Sequence, residues 1–196
     1  MEHERQLVAL LRGQPWLMEA LGAGRALGLS SWAIGAGAIR SLVWDRLCGH
    51  ARPTPIPDID LVYFDPADLS AEREHQLEAQ LRTALPSLNW EVCNQAAVHL
   101  WREQEPGRPL PPLQSLADGV ASWPEIATSV AAWLDEEDRV RILAPCGLDD
   151  LMNGVLRHNP RHCSAAIFER RLADKRFLQR WPALRLLPAQ DYTPPK

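Results

Sequence analysis

The stretch Pro57-Asp58-Ile59-Asp60-Leu61-Val62-Tyr63-Phe64 constrains this chain more than any other. Its apolar, β-prone run, stopped by Asp65-Pro66, predicts a buried strand. Residues two apart on a strand point to the same face, so Asp58 and Asp60 share a side. Two carboxylates so placed among apolar neighbours repel unless something positive sits between them. A divalent ion held by oxygen ligands, Mg²⁺ or Mn²⁺, is the natural partner. The bland alternative is a strand entry with two solvated acids, and the D-x-D pattern alone does not decide between them.

A second feature precedes it. Ser31-Trp32-Ala33-Ile34 reads as a short strand, Gly35-Ala36-Gly37 as a tight turn, and Ala38 to about Gly49 as a helix. Glycines let backbone N–H groups approach a phosphate, and the helix start adds its positive dipole end. An ordinary strand-to-helix turn has the same appearance. Arg40, one turn into that helix, is placed either to reach a phosphate or to sit at the surface. A third strand is predicted over Asn89-Trp90-Glu91-Val92-Cys93. On a neighbouring strand Glu91 supplies a third carboxylate, able to ligate a metal or accept the proton of an attacking hydroxyl; the plain reading is an exposed glutamate. Asn94, Gln95 and His99 follow it and are candidates for lining the same cleft.

The rest of the chain frames these segments. Helices are expected over residues 3–12, from Pro15 to about Gly28, and over 71–85 behind a cap at Asp68 or Ser70. Gly22, Gly24 and Gly28 have no strand before them, so close helix packing explains them better than a dinucleotide fingerprint does. Three prolines in residues 51–57 make a loop, and residues 103–112 read as a surface loop. Short helices are expected after Gln95 and from Leu116 to Trp123. A hairpin is expected from Thr128–Leu134 and Arg139–Leu143, turning at Asp135-Glu136-Glu137-Asp138. A helix opening at Asp149 or Asp150 is predicted to run through Leu151, Val155 and Leu156. A last helix over 164–180 is predicted to turn Ile167, Phe168, Leu172 and Leu178 inward. The basic group Arg157, His158, Arg161 and His162 reads as a solvated helix end, with triphosphate or nucleic-acid contact the sharper alternative. Arg170, Arg171, Lys175 and Arg176 read as a solvated basic face.

The pattern gives an α/β (α+β) fold with a small mixed sheet flanked by helices. A core over residues 1–145 and a helical C-terminal part over 146–196 are expected to pack as one unit. The chain is 196 residues long with a net charge of −4, which disfavours strong non-specific binding to nucleic acid or anionic membrane. No signal peptide or membrane-length apolar run is visible, and Cys48, Cys93, Cys146 and Cys163 show no metal-binding spacing. Reduced thiols and a cytoplasmic location are the expectation. Eight Trp against two Tyr and three Phe has no functional account at this level.

Gly35-Ala36-Gly37 followed by Asp58-Ile59-Asp60 resembles the signature of the DNA polymerase β-like nucleotidyltransferase superfamily. A closer resemblance, to a bacterial nucleotidyltransferase-like family of unestablished substrate, covers most of residues 30–182. It rests on residues 35–45 and 58–69, Trp90-Glu-Val with Asn94, Gln95 and His99, Trp123-Pro124, and Pro145-Cys-Gly-Leu-Asp-Asp-Leu151. The resemblance implies a minimal nucleotidyltransferase fold. In it Asp58, Asp60 and Glu91 hold Mg²⁺ or Mn²⁺, and the Gly35–Gly37 turn holds the phosphates of a nucleoside triphosphate. The reaction implied is transfer of a nucleoside monophosphate to an unknown hydroxyl acceptor, which is a small molecule, an RNA or a protein. The alternative is a weak or inactive nucleotide-binding or interaction module of the same fold. Two departures favour that alternative: Ala36 stands where Gly or Ser is common, and the gap from Gly37 to Asp58 is long. A metal-dependent glycosyltransferase also uses D-x-D, but a glycine turn so early before the acids fits it poorly.

Overall fold

A computed structural model describes residues 2–101, 111–160 and 163–189. The loop expected over 103–112 and the chain end fall mostly outside these, as do Arg161 and His162. The order is α1 (Glu2–Arg12), α2 (Pro15–Ala26), β1 (Trp32–Gly35), α3 (Gly37–Cys48), β2 (Ile59–Tyr63), α4 (Ala71–Ala84), β3 (Trp90–Asn94), α5 (Val98–Trp101), α6 (Leu116–Ala121), β4 (Ala131–Leu134), β5 (Val140–Leu143), α7 (Asp149–Met152), β6 (Val155–Leu156), α8 (Ala165–Lys175), α9 (Phe177–Arg180) and β7 (Arg185–Leu186).

Five strands form one mixed sheet in the order β3-β2-β1-β4-β5. Strand β1 lies at its centre, antiparallel to both β2 and β4. Strands β2 and β3 run parallel, joined by α4 as the crossover such a pair requires. The Ser70 hydroxyl caps α4 by accepting from the Arg73 N–H, and Gly49 ends α3 in the left-handed conformation. The β4–β5 hairpin turns on the acidic segment, with Asp135 paired to Arg139.

The two faces of the sheet are covered unequally. Ile34, Ile59, Leu61, Tyr63 and Trp90 belong to the main core, with Leu7 and Leu11 of α1, Leu17 and Leu21 of α2 and Leu77 and Leu81 of α4. Ala33, Val62 and Ala131 face the other way, into a smaller cluster with Leu116 and Val120 of α6. Asp58 and Asp60 share the face of Val62, so the acids lie on the thinly covered side.

The C-terminal part departs from the helical expectation. Gly154, at φ +63°, ends α7 after one turn, and Val155-Leu156 becomes β6, paired in parallel with β7. Arg176, at φ +51°, breaks the last helix into α8 and α9. The break brings Phe177 into the core and leaves Leu178 exposed, reversing the expected inward Leu178. Phe177 and Trp181 both pack edge-on against Trp44 of α3. The Trp181 indole donates to Asp45 at 2.6 Å, and Asp45 also accepts from the Thr54 N–H at 2.6 Å. Three of the eight tryptophans thus serve packing, since Trp90 is fully buried with Trp44 and Trp181. None of the four cysteines forms a disulfide.

Candidate active site

The acids and the glycine turn meet in one cleft of about 510 Å³. Asp58, Asp60 and Glu91 form one wall, and Ala36, Gly37 and Arg40 line the same cleft. The parallel register sets Asp60 directly opposite Glu91, so two carboxylates sit about 5 Å apart at backbone level on neighbouring strands. Asp60 is half-buried and Glu91 is exposed. Burial, then the charges of Asp58 and Glu91, push the Asp60 carboxyl up to about 6 against the pull of Arg40 and a hydrogen bond from the Gly37 N–H. The three acids crowd one another on neighbouring strands.

The turn is built by packing. A Cβ on Gly35 would lie 2.4 Å from the Trp123 ring, so only glycine lets Trp123 close over the end of β1. Trp123 is held in turn by Asn159, whose Nδ2 donates to the carbonyls of Ala121 and Trp123 at 2.7 and 2.8 Å. Ala36 takes φ +48° and ψ −112° at the N-cap of α3, a conformation that favours glycine. Its N–H donates to Val130 and its carbonyl accepts from the Arg40 N–H.

Arg40 points into the cleft rather than to the surface. It is buried, its guanidinium lies 5.0 Å above the Phe177 ring, and its Nε finds no hydrogen-bond partner among the described residues. Gln95 lines the cleft with its amide on the Cys93 thiol at 3.3 Å, and burial raises that thiol to about 12, so it is no nucleophile at neutral pH.

Asn94 and His99 do not join them. Asn94 faces away from Glu91 on β3, and its amide is fully engaged: Oδ1 accepts from the N–H groups of Asp65 and Ala96, and Nδ2 donates to the carbonyls of Asp65 and Asp68. It shapes the turn after β2 and has nothing left for a ligand. His99 is half-buried with its Nδ1 enclosed, and it is not part of the cleft wall. In the basic group, Arg157 pairs with Asp150 at 2.7 Å, and buried His158 places Nε2 2.7 Å from the Cys163 carbonyl.

The sequence reading missed part of the cleft wall. Arg170, Arg171 and Lys175 of α8 line the same cleft as the acids; Arg170, Lys175 and Arg176 are exposed, as a solvated face requires, while Arg171 is half-buried. Beneath them Glu125, wholly inaccessible to solvent, accepts from Arg171 Nε at 2.7 Å and Nη2 at 3.3 Å, and from the Thr128 hydroxyl at 2.9 Å. Burial works against the charge of Arg171, and Glu125 more than offsets it, leaving the guanidinium more basic than usual. The available signal was Phe168 on the same short helix as an Arg171/Lys175 pair one turn apart, which marks an apolar face flanked by cations.

Among the described residues no three His, Cys, Asp or Glu side chains are gathered tightly enough to enclose a metal ion. The donor set still fits a hard divalent cation: oxygen-only ligands, net negative, with the Asp60 carboxyl raised by burial and by Asp58 and Glu91.

A mixed sheet with this strand order and an acid wall over a glycine turn has the fold of a nucleotidyltransferase head domain. The chain belongs to the nucleotidyltransferase family whose model matches residues 23–186. A structure solved by NMR and described as revealing a CCA-adding enzyme head domain is similar at TM-score 0.77 and 27% identity, over 96% of each chain. A CCA-adding enzyme in complex with CTP is similar at TM-score 0.55 and 17% identity, over 91% of this chain and 42% of that one. The Thermotoga maritima CCA-adding enzyme complexed with tRNA_CCA is similar at TM-score 0.54 and 17% identity, over 94% and 42%. The chain thus spans less than half of those two enzymes, and at that identity the likeness is one of fold. No curated protein matches the chain. No helix among the described residues is long and apolar enough to cross a membrane.

Proposed function

We propose that the protein is a metal-dependent nucleotidyltransferase that moves a nucleoside monophosphate from a nucleoside triphosphate to a hydroxyl acceptor. One observation carries the reading: Asp58, Asp60 and Glu91 line a single cleft together with Ala36, Gly37 and Arg40. Asp58 and Asp60 would hold Mg²⁺ or Mn²⁺, with Glu91 as a third ligand. When bound, the metal supplies positive charge to the transferring phosphate and the leaving pyrophosphate.

The chain's own groups define the rest. The start of α3 turns the positive end of its dipole toward the phosphates, while the Ala36 N–H is held by Val130 and the Gly37 N–H by Asp60. Arg40 stabilises negative charge that grows on the phosphates as the bond breaks. The acceptor oxygen bonds to the α-phosphorus, the bond from that phosphorus to the bridging oxygen breaks, and pyrophosphate departs with the electron pair. Glu91, exposed at the cleft edge, takes the proton of the acceptor hydroxyl. The acceptor is a small molecule, an RNA or a protein; the CTP and tRNA complexes of fold relatives make an RNA end the first to try.

The test is transfer of α-labelled nucleotide with Mg²⁺ or Mn²⁺ across the four triphosphates and a panel of acceptors, read together with pyrophosphate release. Labelled product from the wild type, absent in Asp58→Asn and Asp60→Asn, supports the reading. Triphosphate binding with no product on any acceptor would leave the inactive module, which Ala36 in the turn favours.

A further inference from the structure

The cleft is electrically two-sided, and its basic side is left unused by the acids' chemistry. Arg171 and Lys175 lie four residues apart on α8, so they stack one turn apart on one face, with Arg170 beside them. Arg171 is committed: Glu125 and its bidentate contact hold it in place. Lys175 is exposed on the cleft wall, and no ion pair or hydrogen bond holds it among the described residues. Arg40, more than nine-tenths buried, lines the same cleft beside Phe177, and its Nε has no hydrogen-bond partner among the described residues. Burial, resisted chiefly by Glu125, makes the Arg40 guanidinium less basic than usual, the mark of a cation short of counter-charge.

We propose that α8 is a polyphosphate clamp: Lys175 and Arg170 bind the outer phosphates of the incoming nucleotide, with Arg40 lining the same cleft, and the Glu125–Arg171 pair sets the helix at the distance this requires. This rests on the reading of the cleft as a nucleotidyl-transfer site and adds its substrate polarity. The outer phosphates lie toward α8, and the α-phosphate and nucleoside lie toward the acid wall. Chain connectivity gives the arrangement a further meaning. The sheet supplies the acids, and α8, late in the chain, supplies the contacts to the outer phosphates, so the site is complete only when the C-terminal part is docked.

The probe is inorganic tripolyphosphate in the absence of divalent metal, titrated calorimetrically into the full chain at low salt. Wild type is expected to bind it at one site. Lys175→Ala is expected to weaken binding about tenfold, the loss of one charge-assisted contact, while Lys175→Arg retains it. Thermal melts of both variants show whether the fold is kept; Lys175 is exposed, so no change is expected. Asp58→Asn/Asp60→Asn is expected to bind tripolyphosphate at least as well as wild type, because repulsion from the acid wall is reduced. Wild type that ignores tripolyphosphate, or Lys175→Ala that binds it unchanged, overturns the clamp. That result leaves the acid-wall reading standing, since its own test uses metal and the aspartate variants.

Discussion

Ala36 and Asp60 each pay a conformational or electrostatic penalty at the cleft. A non-glycine residue at φ +48°, ψ −112° stores strain of order 1–3 kcal/mol, partly set off by the ~0.5–1 kcal/mol of chain entropy that a glycine loses on folding. Ala36→Gly is therefore expected to raise stability by up to about 2 kcal/mol, where alanine-to-glycine changes elsewhere lower it. A denaturant midpoint that falls would contradict the strain. Asp60 acts in the opposite sense with pH. Its carboxyl is raised from 3.8 to about 6, so between those values the folded state keeps a proton that the unfolded chain has released. Stability falls as pH rises through that window and stays lowered above it. Asp60→Asn is expected to stabilise the metal-free protein above pH 6 by on the order of 2 kcal/mol, with the gain vanishing below pH 4, while removing metal-dependent binding. Equal shifts in the unfolding midpoint at pH 4 and pH 7.5 would refute the electrostatic origin. Asn94 shows the limit of reading residues singly: an asparagine at a strand end is equally suited to a ligand or a turn, and only the neighbouring carbonyls of Asp65 and Asp68 decide.

At the scale of elements, what was legible followed from local pattern. The apolar run of β2, the glycine turn before α3 and the leucine spacing of α1, α2 and α4 all specify their structure within a few residues. Period two along β2 put Asp58 and Asp60 on one face without tertiary knowledge, whereas the parallel pairing that sets Glu91 beside Asp60 is a tertiary fact. What was not legible is set by distant contacts. Nothing near Pro124 marks Glu125 for complete burial; its partner Arg171 lies 46 residues on. The break at Arg176 exists because Phe177 and Trp181 pack on Trp44, a contact across more than 130 residues. Removing one member of a buried pair leaves the other uncompensated, so Glu125→Gln is expected to cost about 3 kcal/mol. Glu125→Met/Arg171→Met is expected to recover most of that in urea unfolding. An unchanged midpoint for the single variant would show that the pair does not hold α8.

The whole molecule joins a sheet that presents acids to a C-terminal part that covers them. The two are coupled through Trp44, Asp45, Phe177 and Trp181, all buried at one seam. We expect a single cooperative unfolding transition, and a chain ending at residue 145 that fails to fold because Trp44 and Asp45 lose their partners. Two separate transitions in calorimetry would show independent units. The central claim is that the acid wall binds metal together with triphosphate. Isothermal titration of each nucleoside triphosphate with Mg²⁺, on wild type and on Asp58→Ala/Asp60→Ala, tests it most directly. One triphosphate is expected to bind the wild type in a metal-dependent way and the double variant to lose that dependence; identical metal-dependent binding by both proteins would contradict the claim.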